Sequence, residues 1–528
     1  MKCRRVLIVV LLMALLLSLT GCGGRTDMEF TAILPSNVIS LDPQTASSKA
    51  SDIVIGSIFE GLCRIDEENE VCPGVADRWE HNKDFTEFTF HLRSAKWSDG
   101  TTVTAEDFLF GILRALNPET GAGDPDDLFV IRNARAIHSG EAEESALGVT
   151  VEKERKLVFH LESGYPDFPA LTAGNHYMPC KREFFEESAG RYGLSPEFIL
   201  TNGPFTFPHI YAWNTDYNEK QLRLARSGTY RGEYRVLPAA LTYLIDYDNE
   251  IDTDPIAALI AEKVDILQLT EPVARQAEEQ GLQVLALNDG TAGLLLNPQT
   301  DHLTYVVTRE IFMKTLDREN LLAPYADTPD AEAVGIMPDS VRWNGEAYYG
   351  ENESRYVQQD DDAAQSVPTL LSMLRLDKMP NITVLCPDDK ASIDMANEVL
   401  VSWNGKLGSA FNILPMSESS LNRRVAWGDY DAALYTLRSG GVTPYNVLKA
   451  FDSNASPLLL EQEEFDAALH NVSFGREAFR ELETLLQEQQ VFYPLLKKNT
   501  YYVLSPKVEN ITVSADGRVN FISAKKSK

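Results

Sequence analysis

Cysteine and histidine, the side chains that most often hold transition metals, are sparse in this chain, with 6 cysteines and 8 histidines in 528 residues. The chain has no Cys-x-x-Cys motif, and no two histidines stand at the spacing of paired metal ligands. The Gly-x-Ser-x-Gly, His-Glu-x-x-His and Gly-x-x-x-x-Gly-Lys motifs of hydrolases and nucleotide-binding enzymes are also missing. We therefore expect a protein with no resident metal, no cofactor and no catalytic activity of its own.

The first 22 residues have the order of an export signal. Three basic residues lie among the first five positions, and an apolar run over 6–17 follows them. That run is shorter than the about 20 residues of a membrane-spanning helix. Leu19-Thr20-Gly21-Cys22 comes next and resembles a bacterial lipobox. The resemblance implies that 1–21 is a cleaved signal peptide and that Cys22 carries lipid; the alternative is an uncleaved N-terminal anchor.

Charge and length narrow the class of protein further. The formal net charge is −30, which disfavours nucleic acid as a partner because phosphate binding needs clustered lysine and arginine. Excess carboxylates keep an exported protein soluble. The chain is too long for one ordinary core, so two or three domains are expected.

Cys63 and Cys72 flank a predicted β-hairpin. If Glu67 and Glu68 form a two-residue turn, the two thiols face each other across the strands, and a disulfide is possible outside the cell. A slip of one residue in the register would abolish that pairing. Both outcomes remain open at this point, and Cys180 and Cys386 cannot be paired from the sequence.

Strand-like and helix-like segments alternate along the chain. Residues 88–92 have the two-residue period of a half-buried strand, and Thr104 begins a helix in which Asp107 completes a capping box. A helix is predicted over 309–322. Residues 327–365 are rich in polar and turn-forming residues, which predicts an exposed connection. The mixture indicates an α/β or α+β multidomain protein.

Several short blocks occur in an order typical of one family. They are Ser40-Leu41-Asp42-Pro43, Phe59-Glu60-Gly61-Leu62, Pro73-Gly74-Val75-Ala76-Asp77-Arg78-Trp79, Lys96-Trp97-Ser98-Asp99-Gly100, Val103-Thr104-Ala105-Glu106-Asp107-Phe108, Thr201-Asn202-Gly203-Pro204-Phe205 and Gly428-Asp429-Tyr430-Asp431-Ala432. Together they resemble the extracellular solute-binding proteins of peptide and nickel ABC importers, family 5, which include oligopeptide- and dipeptide-binding proteins.

The resemblance implies an α/β, bilobal, periplasmic-binding-protein-like fold with an extra domain and with mixed sheets flanked by helices. A monomer would capture a peptide or peptide-like solute between its lobes for the permease and ATPase subunits of an importer. It would be tethered to the outer face of the cytoplasmic membrane, on the cell surface or the periplasmic side. The implied ranges are 22–61, 178–286 and 487–528 for lobe I, 62–177 for the extra domain, and 287–486 for lobe II.

The same resemblance implies where the ligand binds. In lobe I, Asn37, Val38 and Ile39 would offer backbone hydrogen bonds to an extended ligand. In lobe II the matching segment includes Leu437, Arg438, Gly440 and Gly441. Gly440 occupies the position at which peptide-binding members carry an aspartate for the ligand's ammonium.

That departure leaves two questions open. A buried ammonium without an anion is costly, so the expected ligand is a blocked peptide, an anionic peptide-like molecule or another small solute. Arg438 either binds a ligand carboxylate or phosphate, or points to solvent or pairs with an acid such as Asp429 or Asp431. A surface-anchored peptide-sensing receptor or a hydrolase that uses the same fold without transport is the alternative function.

Overall fold

The structure, a computed structural model, describes residues 28–121, 125–214, 220–245, 251, 253–325, 331–350, 355–356, 358–360, 362–408, 411–453, 463–470 and 475–527. The predicted signal peptide and Cys22 lie outside these ranges. Within them, none of the helices has the length and apolar character that a bilayer crossing requires.

The strands are numbered in chain order. They are β1 Glu29–Ile33, β2 Cys63–Ile65, β3 Val71–Pro73, β4 Ala76–His81, β5 Glu87–Leu92, β6 Val149–Lys153, β7 Lys156–His160, β8 Phe205–Thr206, β9 Trp213–Asn214, β10 Gln221–Arg226, β11 Ala240–Leu244, β12 Ile266–Leu269, β13 Val284–Leu296, β14 Arg342–Trp343, β15 Glu346–Ala347, β16 Thr383–Pro387, β17 Asn412–Met416, β18 Ala432–Arg438, β19 Phe492–Leu504, β20 Val508–Glu509, β21 Thr512–Val513, β22 Val519–Asn520 and β23 Lys525–Lys526.

The α-helices lie between these strands. They are α1 Lys49–Ile58, α2 Ala105–Leu116, α3 Ala134–His138, α4 Phe168–Leu171, α5 Arg182–Glu187, α6 Pro255–Ile260, α7 Glu271–Glu279, α8 Val306–Lys314, α9 Arg318–Leu322, α10 Val367–Leu374, α11 Lys390–Leu407, α12 Glu418–Ala426, α13 Pro444–Leu448, α14 Glu463–His470 and α15 Arg476–Gln489. The capping box at the start of α2 is confirmed, since Thr104 and Asp107 exchange side-chain and backbone hydrogen bonds.

One mixed sheet runs through most of the molecule. Its order is β17-β16-β18-β13-β19-β12-β1-β11-β10-β8, and β9 pairs with β10. The two central strands, β13 and β19, each have 13 residues and pair along nearly their full length. β13 carries the chain from the part of the sheet that contains β1, β10, β11 and β12 into the part that contains β16, β17 and β18, and β19 carries it back.

A separate antiparallel sheet, β4-β5-β7-β6, lies in the predicted extra domain. Its inner face packs aromatic rings against each other: the centroids of Phe90 and Phe159 are 5.5 Å apart, and those of Phe159 and Phe168 are 5.0 Å apart. Trp97 is fully buried and donates its indole N–H to Asp107. These contacts give the family-typical residues around Trp97 a packing role.

Two sequence predictions about lobe II need correction. The helix predicted over 309–322 is two helices, α8 and α9, separated by a short break before Arg318. Within the connection predicted over 327–365, Ile336, Val341 and Tyr348 are buried in the core. The segment is polar overall, so its composition did not indicate that these apolar residues are buried.

The proposed disulfide between Cys63 and Cys72 is wrong in this structure, where both are free thiols. Cys63 pairs with Pro73 and Cys72 pairs with Arg64, so the register differs by one residue from the one that would face the thiols. The turn is longer than two residues, because the Asp66 N–H donates to Glu70 and Asn69 adopts a positive φ of 62°. Adjacent positions of a strand point to opposite faces, which separates the two thiols.

Candidate ligand-binding site between the lobes

The pairing of the two long central strands, β13 and β19, is irregular where they pass between the lobes. Asn288 pairs with Asn499 and Gly290 pairs with Lys498, which leaves Asp289 as an extra residue in β13. A bulge of this kind bends a strand and redirects a side chain. Here the Asp289 carboxylate accepts from the Thr500 hydroxyl of β19, at 2.9 and 3.0 Å for its two oxygens.

Arg438, at the end of β18, reaches the same carboxylate. Its Nη1 donates to Asp289 Oδ1 at 2.7 Å, and 38% of its side chain is exposed, against 12% for Asp289. Gly290 makes room for this pair, because a Cβ there would lie 2.9 Å from Arg438 Nη1. The predicted alternative that Arg438 pairs with an acid is therefore correct in kind, but its partner is Asp289.

The two acids named from the sequence have other partners. Asp429 forms an ion pair with Arg424 at 2.8 Å, and Asp431 accepts from the Thr383 N–H at 3.1 Å. The partner of Arg438 lies 149 positions earlier in the chain. A local search around Arg438 was therefore unable to find it.

Tyr502 lies two residues along β19 from Thr500, whose hydroxyl donates to Asp289, and Lys49 lies near Tyr502. Both residues fall in the predicted lobe I. A Cβ placed on Gly517 would lie 3.4 Å from Lys49 Nζ and 3.8 Å from the Tyr502 hydroxyl, so the two polar groups flank the same point. Neither group has a hydrogen-bond or ion-pair partner among the residues that the structure describes. The Lys49 side chain is exposed, whereas Tyr502 is 5% exposed.

The charges of Asp289 and Arg438 act on both Lys49 and Tyr502. Protein surrounds Lys49 on several sides although it reaches solvent, and this burial lowers its pKa; Asp289 raises that pKa and Arg438 lowers it. Burial raises the pKa of Tyr502, Asp289 raises it further, and Arg438 lowers it. The same two residues of lobe II thus act on both groups of lobe I.

Further charged groups of lobe I extend this region toward the extra domain. Burial raises the pKa of Asp52, which Arg518 lowers, and its carboxylate accepts from the Asn175 side-chain amide at 2.7 Å. Arg518 lies 3.3 Å from Asp516 and donates to the Asn175 side chain at 2.7 Å. These acids already have partners, which leaves Lys49 as the cation near the bulge with no ion pair in the described part of the chain.

The predicted lobe I segment has the exposure that backbone binding requires. Asn37 is exposed, Ile39 is 81% exposed, and Val38 between them is buried in the core. No backbone–backbone hydrogen bond involves these three residues in the described structure. Asn37 and Ile39 are therefore open to a ligand, apart from a weak contact of the Ser36 hydroxyl with the Asn37 carbonyl at 3.5 Å, whereas Val38 is buried.

The predicted lobe II segment continues β18. Leu437 is buried, Gly441 is buried against Asn446, and Gly440 is exposed with a positive φ of 61°. Strand β18 pairs with β13 along its length but with β16 only at Ala432 and Ala433. The backbone over 434–438 therefore has one edge without a strand partner among the described residues.

The extra domain touches lobe II directly. The Tyr445 hydroxyl donates to Asp126 at 2.6 Å, and the Asn344 N–H donates to Asp167 at 2.6 Å. Tyr165 of the extra domain packs against Trp343, with ring centroids 5.6 Å apart. These contacts join the predicted extra domain to the predicted lobe II.

Asp126 also belongs to a group whose composition resembles a metal site. Potential ligand atoms of Asp126, Asp452 and His470 lie within 4.8 Å of one another. Each carboxylate already has a neighbour: Tyr445 donates to Asp126, and His470 Nε2 lies 2.9 Å from Asp452. The group forms part of the contact between the extra domain and lobe II.

Sequence reasoning missed three residues of the region, Lys49, Asp289 and Tyr502. No motif marks them, and they come from a helix start, a bulge and the far end of β19. These residues lie close together because β13 and β19 run side by side from one lobe to the other. The loss of the expected acid at Gly440 was the one signal that another charged group had to be sought.

A mixed sheet whose two long strands pass between lobes, with an additional domain closing against the second lobe, defines a bilobal periplasmic-binding-protein-like fold. A family model described as "Bacterial extracellular solute-binding proteins, family 5 Middle" matches residues 70–457. The chain belongs to this family of bacterial extracellular solute-binding proteins. The expected family and fold class are thereby confirmed.

Relatives of known name are similar over different shares of the chain. The oligopeptide-binding protein OppA of Bacillus subtilis is 23% identical over 557 aligned positions, which cover 98% of both chains. The periplasmic murein peptide-binding protein MppA of Escherichia coli is 37% identical over 191 positions, which cover 35% of both chains. The second match has the higher identity but covers a smaller part of the chain.

Solved structures agree over nearly the whole chain. The E. coli murein tripeptide-binding protein MppA superposes with a TM-score of 0.72 at 22% identity, covering 95% of this chain and 99% of that one. Haemophilus influenzae OppA, solved in complex with RPPGFSPFR, also gives 0.72, at 20% identity and with the same coverage. At such identities the likeness establishes the fold.

Proposed function

We propose that this protein is the lipid-anchored, extracytoplasmic solute-binding component of an ABC importer and that it captures a peptide or peptide-like solute between its two lobes. It acts by binding, not by catalysis, and as a monomer. Relatives whose names describe oligopeptide, dipeptide and murein peptide binding support the ligand class. Permease and ATPase subunits would receive the solute.

The observation that carries the proposal is a pair of open backbone edges, one in each lobe. The groups of 37–39 lack backbone partners in lobe I, and one edge of 434–438 lacks a strand partner in lobe II. An extended peptide hydrogen-bonds to such edges through its own main chain, as in strand addition to a sheet. Backbone pairing tolerates many side chains, which suits a binder of peptides.

Capture requires the lobes to close over the solute. A ligand shifts a protein toward the closed arrangement only through contacts that it makes better there. The two edges belong to different lobes, and the Tyr445–Asp126 hydrogen bond is the kind of contact that forms on closure. The predicted residue ranges of the two lobes and of the extra domain remain part of this proposal.

The ligand's ammonium has no obvious anion here. Gly440 stands where an aspartate is expected, and Asp289, the nearby acid, already pairs with Arg438 and accepts from Thr500. We therefore propose that N-acetylated tripeptides bind within about fivefold of the free amines, since no charge-assisted hydrogen bond is lost. Calorimetry of matched pairs at neutral pH measures this, and strong selectivity for the free amine would contradict it.

The anchor on Cys22 accounts for retention at the membrane. Lipid on one cysteine with two or three acyl chains holds a protein firmly, whereas a single chain binds only marginally. Radiolabelled palmitate should appear on the full-length protein and not on a Cys22→Ala variant. Unlabelled wild-type protein would contradict this part of the proposal.

Native mass spectrometry with a pool of tripeptides tests solute binding. The expected result is a complex with one peptide per protein, and the absence of any bound peptide would contradict the proposal. Uptake of a labelled peptide by cells with and without the gene separates import from sensing. Loss of uptake in the deleted strain is expected; unchanged uptake with a lost transcriptional response would favour the receptor.

A further inference from the structure

We propose that Lys49, Tyr502 and Arg438 form an anion subsite that binds the terminal carboxylate of the captured peptide at the point where β13 and β19 cross between the lobes. The inference rests on the proposed function and goes beyond it, because it assigns one end of the ligand to named residues. Two of the donors belong to lobe I and one to lobe II. An anion held by all three would link the lobes.

The first step is the lack of partners at Lys49. It is the first residue of α1, its side chain is exposed, and no carboxylate lies within ion-pair distance of its ammonium in the described structure. Nearby acids are already engaged, Asp289 by Arg438 and Asp516 by Arg518. An exposed ammonium without an ion-pair partner is available to bind an anion.

Tyr502 supplies the second donor. Its residue is 5% exposed, yet its hydroxyl has no hydrogen-bond partner in the part of the chain that the structure describes. The hydroxyl oxygen itself is not fully buried, so it reaches solvent and can donate to a ligand atom. Gly517 keeps this place open, because its Cβ would stand 3.4 Å from Lys49 Nζ and 3.8 Å from the hydroxyl.

Arg438 completes the set from the other lobe. Only its Nη1 is used in the pair with Asp289, which leaves Nε and Nη2 without partners among the described residues, on a side chain that is 38% exposed. A guanidinium presents five N–H donors in a fork that matches a carboxylate. Asp289 fixes one arm of the fork and leaves the rest for the ligand.

The acids around the subsite decide which sign of ligand charge is favoured. Asp52, Asp289 and Asp516 face the same region, but each has a partner in Asn175, Arg438 or Arg518. A ligand ammonium would be repelled by the unpaired Lys49, whereas a ligand carboxylate would form an ion pair with it. The region therefore favours an anion.

Calorimetry with two matched pools tests the proposal. One pool contains tripeptides as free acids, and the other contains the same tripeptides as C-terminal amides. We expect the wild-type protein to bind the acid pool roughly ten- to hundredfold more tightly, the size of a charge-assisted hydrogen bond. In Lys49→Met this preference should disappear, while the affinity for the amide pool stays within about threefold. Tyr502→Phe should reduce the preference about threefold to tenfold.

Lys83→Met, at an exposed lysine of the extra domain, is the matched control and should behave like the wild type. Retained binding of the amide pool shows that each variant is folded and closes. Equal wild-type affinity for acids and amides, or an undiminished preference in Lys49→Met, would overturn the subsite and leave the proposed function standing. Failure of the wild type to bind either pool would overturn both.

Discussion

Two arginine–aspartate pairs in this protein have the same chemistry and opposite surroundings. Arg114 and Asp42 lie in the core, with 5% and 6% of their side chains exposed, and two hydrogen bonds at 2.6 and 3.2 Å join them. Arg438 and Asp289 lie between the lobes and share one hydrogen bond at 2.7 Å, with Arg438 38% exposed. The first pair is enclosed and the second is open to solvent.

The remaining donors of each arginine explain the difference. Arg114 also donates to Gln44 at 2.7 Å and lies over the Phe185 ring at 3.9 Å, so protein surrounds its charge. Arg438 keeps unused donors and has an unpaired lysine beside it. A buried pair that protein encloses holds the fold together, whereas a pair between the lobes with an exposed arginine is available to a ligand.

The largest expected effect comes from breaking the buried pair. Arg114→Met leaves the Asp42 carboxylate buried without its cation, which costs about 3–5 kcal/mol in the free energy of unfolding. Arg438→Met should cost less, about 1–3 kcal/mol, because Asp289 loses one donor but keeps the Thr500 hydroxyl. Urea denaturation, followed by tryptophan fluorescence, measures the unfolding midpoints of the two variants. Equal shifts of the midpoint would contradict the expected difference between the two pairs.

The next effect concerns the contact between the extra domain and lobe II. Tyr445→Phe removes the hydroxyl that donates to Asp126, which is 5% exposed. A hydrogen bond to a charged group contributes about 1.5–3 kcal/mol, and the closed arrangement alone loses it. We expect peptide affinity to fall about tenfold or more, as calorimetry measures. Tyr211→Phe, at a residue that is 80% exposed, is the control, and equal affinities for both variants would contradict the role of this contact.

A smaller effect should appear in the pH dependence of binding. Burial and the Arg438 charge lower the pKa of Lys49 from 10.5, so it loses its proton at a lower pH than an ordinary lysine. An anion binds the protonated form, and affinity should therefore fall as the pH rises through that lowered pKa. An N-acetylated free-acid tripeptide avoids titration of the ligand's own amine. Lys49→Arg should keep its affinity over the same range, and an identical decline in that variant would argue against Lys49.

The smallest effect is expected at the hairpin cysteines. Cys63 and Cys72 point to opposite faces, and burial raises the pKa of the Cys63 thiol to about 12, which keeps it protonated and unreactive. The double variant Cys63→Ser, Cys72→Ser should therefore show the same response to oxidant as the wild type in thermal unfolding. A midpoint that rises on oxidation in the wild type alone would indicate that the disulfide forms.

Local sequence signals predicted much of the fold. The capping box of α2 and the strand predicted over 88–92 depend on neighbours within a few positions, and both are present. The hairpin register was not predictable, because one additional turn residue reverses the face of every side chain. The break between α8 and α9 was not predicted either, because it interrupts the helical segment by only a few residues.

The site was less accessible to sequence reasoning than the fold. Gly440 showed that the expected acid was missing, but Asp289 lies 149 positions from Arg438 and enters through a bulge. Lys49 and Tyr502 are ordinary residues in their local segments. They come together because the long strands β13 and β19 run from one lobe to the other, and no local sequence pattern indicates that arrangement.

Small-angle X-ray scattering on the protein with and without a saturating tripeptide pool tests the central claim, capture between closing lobes. The radius of gyration should decrease when peptide binds, with native mass spectrometry confirming one peptide per chain. Bound peptide together with an unchanged radius of gyration would contradict closure over the solute.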